Sequence, residues 1–238
     1  MLTLCITVLL YSCTATKSSS DFSNEIFVDV EQSVELPLQR GRIIPLETSD
    51  SSLLYDIVSI DQVKDKYFIR SRNKILTFDT EGNYLYNISG IGQGNKEYVN
   101  LSSFFIKNEE LCIYDFNQGR VLFFAPSGRY LRTEKAVKKS DVECAPQLIR
   151  PYGKNKYIAK NSFNGTPGYV TPALSLLDEK YTITQTLEGH SLHTGFLLFD
   201  FMNCDDNGGF ITYWEALSDT IYTVVNDCMV QPKYFVNF

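Results

Sequence analysis

The sequence predicts an all-β chain whose folded part is a β-propeller of four-stranded antiparallel blades, about four of them. Three observations lead there. Beyond the first two dozen residues the apolar positions show almost no helical period. They fall instead in short β-branched and aromatic runs broken by Asn, Asp and Gly turns. The stretch from Lys74 to Leu85 repeats as Arg120 to Leu131 at a constant offset of 46, which lays Phe78 on Phe124, Gly82 on Gly128, Tyr84 on Tyr130 and Leu85 on Leu131 without a gap. Four short strands with tight turns consume about 45 residues, so a unit of that length with no helix in it reads as a propeller blade.

The chain opens on a different pattern. Leu2 to Tyr11 is an apolar run followed by Ser12, Cys13 and a Ser- and Thr-rich tract to Ser20. A transmembrane helix needs about 20 apolar residues, so this run reads as the apolar core of a secretory signal. Leu10-Tyr11-Ser12-Cys13 resembles a bacterial lipobox, in which cleavage before the cysteine leaves its thiol and new amino group to carry acyl chains. Each buried methylene contributes about 0.8 kcal/mol, so several chains anchor firmly. The expected organisation is a signal peptide over 1–12, a lipidated tether over 13–25 beginning at Cys13, and a propeller over 26–238. A buried N-terminal strand is the alternative.

In the first blade, Ile57 to Val63 reads as the inner strand, followed by Tyr67 to Ser71, Ile75 to Asp79 and Tyr84 to Ser89. Gly82 closes the hairpin between the third and fourth strands, where a positive φ is cheap for glycine, and Gly128 repeats the device. A third unit shows in Lys156 to Ala159 and Leu174 to Asp178, with Asn161 to Pro172 inserted. A fourth shows in Gly209 to Tyr213, Thr220 to Val225 and Lys233 to Phe238. The blades fall at about 56–92, 99–136, 144–190 and 199–238.

Four segments carry a family resemblance: Ile44-Pro45-Leu46-Glu47-Thr48, the Phe78 to Gly82 turn, the link Gly90-Ile91-Gly92-Gln93-Gly94-Asn95-Lys96-Glu97-Tyr98, and Ser218 to Tyr222. Together they resemble the six-bladed β-propeller lipoproteins of Gram-negative bacteria, related to NHL-repeat propellers. Family members usually carry Gly-Pro-Gly-Glu-Tyr where this chain has Gly94-Asn95-Lys96-Glu97-Tyr98. The resemblance implies a ring of six blades, and six units of this length need roughly 276 residues. Fewer than 200 follow Ile43, so C-terminal truncation is the expectation and a four-bladed ring the alternative. The segment from Ile26 to Leu38 is expected to add a strand to the final blade.

Composition bounds the chemistry. With 44% apolar and 21% charged residues the 238-residue chain is globular, and a net charge of -6 argues against a nucleic-acid partner, which needs Lys and Arg gathered on one face. The densest basic stretch, Arg129 to Lys139, reads as a solvated strand edge and loop. Apart from Cys5 and Cys13 the cysteines are Cys112, Cys144, Cys204 and Cys228, too widely spaced for a zinc ribbon and read as buried thiols, with disulfide bridges in an oxidising compartment the alternative. His190 and His193 are the only histidines and weak metal candidates, since on a strand their i, i+3 spacing sends them to opposite faces. No cofactor is expected. Asp205 to Gly209 lacks the alternating ligands and closing Glu of a calcium loop. Ser191 fails the nucleophile-elbow pattern. The glycines from Gly90 to Gly94 precede no helix and so read as an exposed crossing rather than a phosphate loop. Phe104-Phe105 and Phe123-Phe124 read as packing between blades, and Phe78 and Phe124, equivalent in the 46-residue register, are both expected to be buried between neighbouring sheets.

Three functions remain open at this stage. The first is a scaffold on the bacterial cell envelope, lipid-anchored to a membrane and facing the periplasm or cell surface, with an unknown protein, peptide or glycan ligand. The second is an NHL-type propeller lyase or hydrolase. The third is a non-functional fragment of a longer propeller protein. No catalytic residue is assigned.

Overall fold

The computed structural model describes residues 25–27, 41–137, 145–153, 155–162, 172, 174–187, 201–204, 211–214, 219–225 and 229–237. All regular structure among them is β. The first sheet is β2 (Ser59–Val63), β3 (Lys66–Ser71), β4 (Lys74–Asp79) and β5 (Tyr84–Ile88). The second is β6 (Ser103–Lys107), β7 (Glu110–Asp115), β8 (Arg120–Phe124) and β9 (Tyr130–Lys135), and the third β10 (Ala145–Tyr152), β11 (Lys156–Ser162), β12 (Leu174–Leu177) and β13 (Ile183–Leu187). The fourth is β14 (Phe201–Cys204), β15 (Ile211–Trp214), β16 (Thr220–Val225) and β17 (Met229–Asn237). Each is an antiparallel meander in chain order. In addition, β1 (Glu25–Phe27) pairs in parallel with the outer edge of β17, Ile26 opposite Val236. Of the segment from Ile26 to Leu38, only Ile26 and Phe27 lie within the described residues.

These strands read as nearly continuous apolar runs because both faces of a middle sheet are covered. Neighbouring residues go opposite ways. Phe68 and Ile75 meet Phe104, Ile113, Leu122 and Phe124 between the first and second sheets. Phe105, Tyr114 and Phe123 face the other way, onto Ile149, Tyr157 and Leu177 of the third. Ile158 and Leu176 then pack on Tyr222 and Val224 of the fourth. The paired phenylalanines expected to pack between blades do so, and Cys112 is a buried free thiol in that packing.

The 46-residue repeat persists in the structure down to an irregularity of the ladder. The register shifts between Thr77 and Phe78, and again between Phe123 and Phe124, so that Phe78 opposes Tyr84 and Phe124 opposes Tyr130. Each pair is an edge-to-face contact with centroids 5.9 Å apart. The turns also match. Gly82 at φ 89° donates to Asp79 O, and Gly128 at φ 80° donates to Ala125 O. The third sheet uses the same turn with a different residue. Tyr181 donates to Asp178 O at φ 59°, a left-handed conformation unusual for tyrosine. Asp178 Oδ1 accepts from the Lys180 and Thr182 amides, as Asp79 Oδ1 does from Glu81 and Asn83.

Two expectations need correction. The inner strand of the first sheet begins at Ser59 rather than Ile57, and Ile57 and Val58 are exposed. Phe78 is buried, but not between two sheets. It lies with Ile69 and Leu76 against Leu46 and Leu54, residues of the irregular segment that precedes the first sheet. That segment is tied down: Glu47 donates its amide to Gly82 O at 2.8 Å, and its carboxylate accepts the Tyr84 amide at 2.9 Å.

Candidate functional site

The link between the first and second sheets shapes one end of the molecule. Its glycines turn the chain back on itself, with Gly92 donating to Tyr98 O and Tyr98 donating to Gly90 O. The Gly94 amide is taken by the Glu97 carboxylate at 2.9 Å, so these amides are spent within the loop and form no phosphate cradle. Tyr98 is wholly buried, and its hydroxyl lies 2.6 Å from Asn73 O and 3.1 Å from Ile88 O. Burial pushes the phenol up from its ordinary pKa, so it remains a neutral donor. Tyr98→Phe leaves one buried and one half-buried carbonyl without that donor and is expected to cost about 1–2 kcal/mol in urea unfolding. A loss below a few tenths would show that the link is not fastened there.

Beside this anchor, side chains of two different sheets converge on the start of β6. Arg70, on the face of β3 that looks toward the second sheet, donates Nη1 to Ser102 O at 2.9 Å. Arg150, on inner strand β10, donates Nη1 to Phe104 O. The two acceptors are two residues apart along one strand, hence about 7 Å. Ser103 Oγ, between them, donates to Ile149 O at 3.0 Å and fixes β6 against β10. Burial lowers the Arg70 pKa, and the Arg150 charge lowers it further, while Asp56 acts in the opposite sense. Asp56 Oδ1 is occupied by Ser71 Oγ at 3.0 Å and the Arg72 amide at 2.9 Å. Tyr55 presents an exposed ring with the Arg72 guanidinium carbon 4.1 Å from its centroid and Lys74 Nζ 5.8 Å away. Two cations thus face the Tyr55 ring and two others reach the start of β6, in a chain whose net charge is -6.

The residues singled out from the sequence are elsewhere. Cys13, His190, His193, Ser191 and Asp205 to Gly209 lie outside the described residues. Among the described residues no group of three His, Cys, Asp or Glu side chains could hold a metal ion, and no helix is long and apolar enough to cross a membrane. The basic stretch is ion-paired at Arg132, which meets Glu110 and Glu134, each at 2.8 Å. Sequence reasoning missed Arg70, Arg150 and Tyr98. The signal for the two arginines was a charge inside an otherwise apolar strand, Tyr67-Phe68-Ile69-Arg70 and Leu148-Ile149-Arg150.

The family described as a domain of unknown function (DUF4934) matches residues 32–238. No curated protein matches the chain. Among solved structures, a candidate exported protein from Bacteroides fragilis is 18% identical with a TM-score of 0.65, over 82% of this chain and 55% of its own. A DUF4221 family member from Bacteroides vulgatus is 10% identical with a TM-score of 0.54, over 82% of this chain and 61% of its own. Virginiamycin B lyase from Staphylococcus aureus is 14% identical with a TM-score of 0.48, over 79% of this chain and 57% of its own, too loose a likeness to carry a reaction across. The chain therefore spans little more than half the length of the solved structures it matches. At these identities the likeness concerns fold alone. The four four-stranded antiparallel meanders packed face on face in this chain are those of a β-propeller.

Proposed function

The chain belongs to the DUF4934 family, and from that premise we propose that it is a lipid-anchored β-propeller of the bacterial cell envelope that binds a ligand at the Tyr55, Arg70 and Arg150 end. The observation that carries the binding role is the convergence of Arg70 and Arg150 on the start of β6, held by the rigid frame of β3, β6 and β10, with the exposed Tyr55 ring and its cations Arg72 and Lys74 by the β3–β4 turn. Propellers present loops at the ends of packed sheets, and an aromatic face flanked by cations suits a glycan or peptide surface. Anchoring is supported by the apolar run before Cys13 and by the likeness to a candidate exported protein. The six-bladed, NHL-like ring implied by the sequence resemblance is part of the same proposal.

Two measurements test this reading. Cys13→Ser is expected to move the protein from the membrane to the soluble fraction, and mass spectrometry of the wild-type N-terminus is expected to show acylated Cys13. An unchanged partition, or an unmodified Cys13, sinks the anchor. Crystals soaked in envelope extract are expected to show a ligand against Tyr55. Density confined to other surfaces removes the binding role from this end.

A further inference from the structure

We propose that Arg70 and Arg150 form a two-guanidinium receptor for one anionic group, a carboxylate or a phosphate, held over the start of β6. The proposal rests on the reading that this end of the propeller meets a ligand, and it names what that ligand must carry.

The geometry separates these two arginines from the ion-paired cations of the protein, and, unlike the remaining cations among the described residues, the two converge on one strand. Arg42, Lys64, Lys66 and Arg132 each stand within 3.3 Å of a carboxylate. Among the described residues, neither Arg70 nor Arg150 has a carboxylate within ion-pair distance; both donate there to backbone carbonyls. A guanidinium offers five N–H donors in a fixed fork. The bonds seen use two on Arg70, to Ser102 O and Arg72 O, and one on Arg150. The remaining donors suit bidentate capture of a planar carboxylate or a phosphate.

Electrostatics points the same way. Two like charges are held close to one another, and one of them is largely withdrawn from water, an arrangement that disfavours the empty site and favours an anion. Asp56 offsets part of the charge at Arg70, yet its Oδ1 is already committed to Ser71 and Arg72. The site is also positioned rather than floppy. Arg70 comes from the first sheet and Arg150 from the third, and both close on one strand of the second, which Ser103 ties to β10. An anion bridging the two would fasten three sheets together at that end.

Isothermal titration of the full chain at low salt, with inorganic phosphate and separately with glucuronate, tests the site. Saturable binding of one or both is expected, weakened at least tenfold in Arg70→Gln and in Arg150→Gln and unchanged in Arg132→Gln, whose cation already has carboxylate partners. Preference for glucuronate would mark a carboxylate ligand, and preference for phosphate a phosphorylated one. The same anion should raise the melting temperature of the wild-type protein above that in chloride of equal ionic strength. Arg70→Lys and Arg150→Lys keep the charge if a glutamine variant fails to fold, and are expected to bind more weakly than wild type. Absence of binding by both probes, or binding that persists in all the Arg70 and Arg150 variants, overturns the site. Envelope-ligand density against Tyr55 in that event would leave the broader binding role standing.

Discussion

Replacing Phe124 by alanine is expected to destabilise the protein by about 4–5 kcal/mol, and replacing Phe78 by about 3 kcal/mol, the two ends of the range for buried phenylalanines. The residues are equivalent in the repeat, fully or nearly fully buried, and each has an edge-to-face tyrosine partner. What differs is the wall opposite. Phe124 lies between two hydrogen-bonded sheets, in one buried cluster with Phe68 and Ile75 of the first, and close-packed sheets tied by ladder bonds collapse poorly into a void. Phe78 faces Leu46 and Leu54 on an irregular segment, which has fewer ladder bonds to break when it settles inward. The cost of a large-to-small change grows with the cavity that remains, so Phe124→Ala should be the more damaging. Urea unfolding of both variants measures this. Equal losses would mean that the segment before the first sheet is as rigid as a neighbouring sheet.

The pairing of Phe78 with Phe124 also shows how the sequence revealed this fold. A strand buried on both faces needs apolar residues at consecutive positions, and a blade-length repeat of such strands at fixed offset leaves few architectures open. The first two sheets were legible because their turn kept its glycine. The third was only partly so. Its turn holds Tyr181 where Gly82 and Gly128 stand, and the tyrosine is tolerated in the left-handed region because its ring stacks 4.5 Å from Tyr157 and their hydroxyls lie 2.9 Å apart. Tertiary packing there compensates for an unfavourable local conformation. A turn search built on glycine passes over it, although Asp178, like Asp79, was present to mark the position.

The candidate site was far less legible, for a physical reason. Arg70 and Arg150 are 80 positions apart and belong to sheets that do not adjoin, with the second sheet between them. Their convergence depends on how three sheets stack, which local periodicity does not encode. Tyr98 is a similar case. It closes a glycine-rich link that reads as exposed connection, and Gln93 to Glu97 just before it are exposed, but its hydroxyl reaches carbonyls of the β3–β4 turn and of β5. The motif residues Glu97 and Tyr98 thus have structural tasks, one turning inward on Gly94 and the other pinning the link.

Gly82→Ala is expected to cost about 2–5 kcal/mol, more than Gly128→Ala, although the two occupy the same turn. Both glycines sit at positive φ, where an L-residue loses about 1–2 kcal/mol. The surroundings add the difference. A Cβ at Gly82 would drive into the carbonyl oxygen of Pro45, with Pro45 C at 3.0 Å and Ile44 Cγ2 at 3.1 Å. That backbone is held by the Glu47 amide on Gly82 O itself and by the Glu47 carboxylate on the Tyr84 amide, so it cannot withdraw without breaking them. Overpacking against such a wall typically adds about 1–3 kcal/mol. A Cβ at Gly128 would instead meet the Tyr86 ring edge at 2.7 Å. A side chain can rotate away, at the loss of the Tyr86 hydroxyl contact with Pro126 O. Chemical denaturation of both variants reads the order directly. A Gly128→Ala loss equal to or larger than that of Gly82→Ala would mean that the segment from Ile44 to Glu47 is not fixed over the first sheet, and would equally weaken its role as the cover of Phe78.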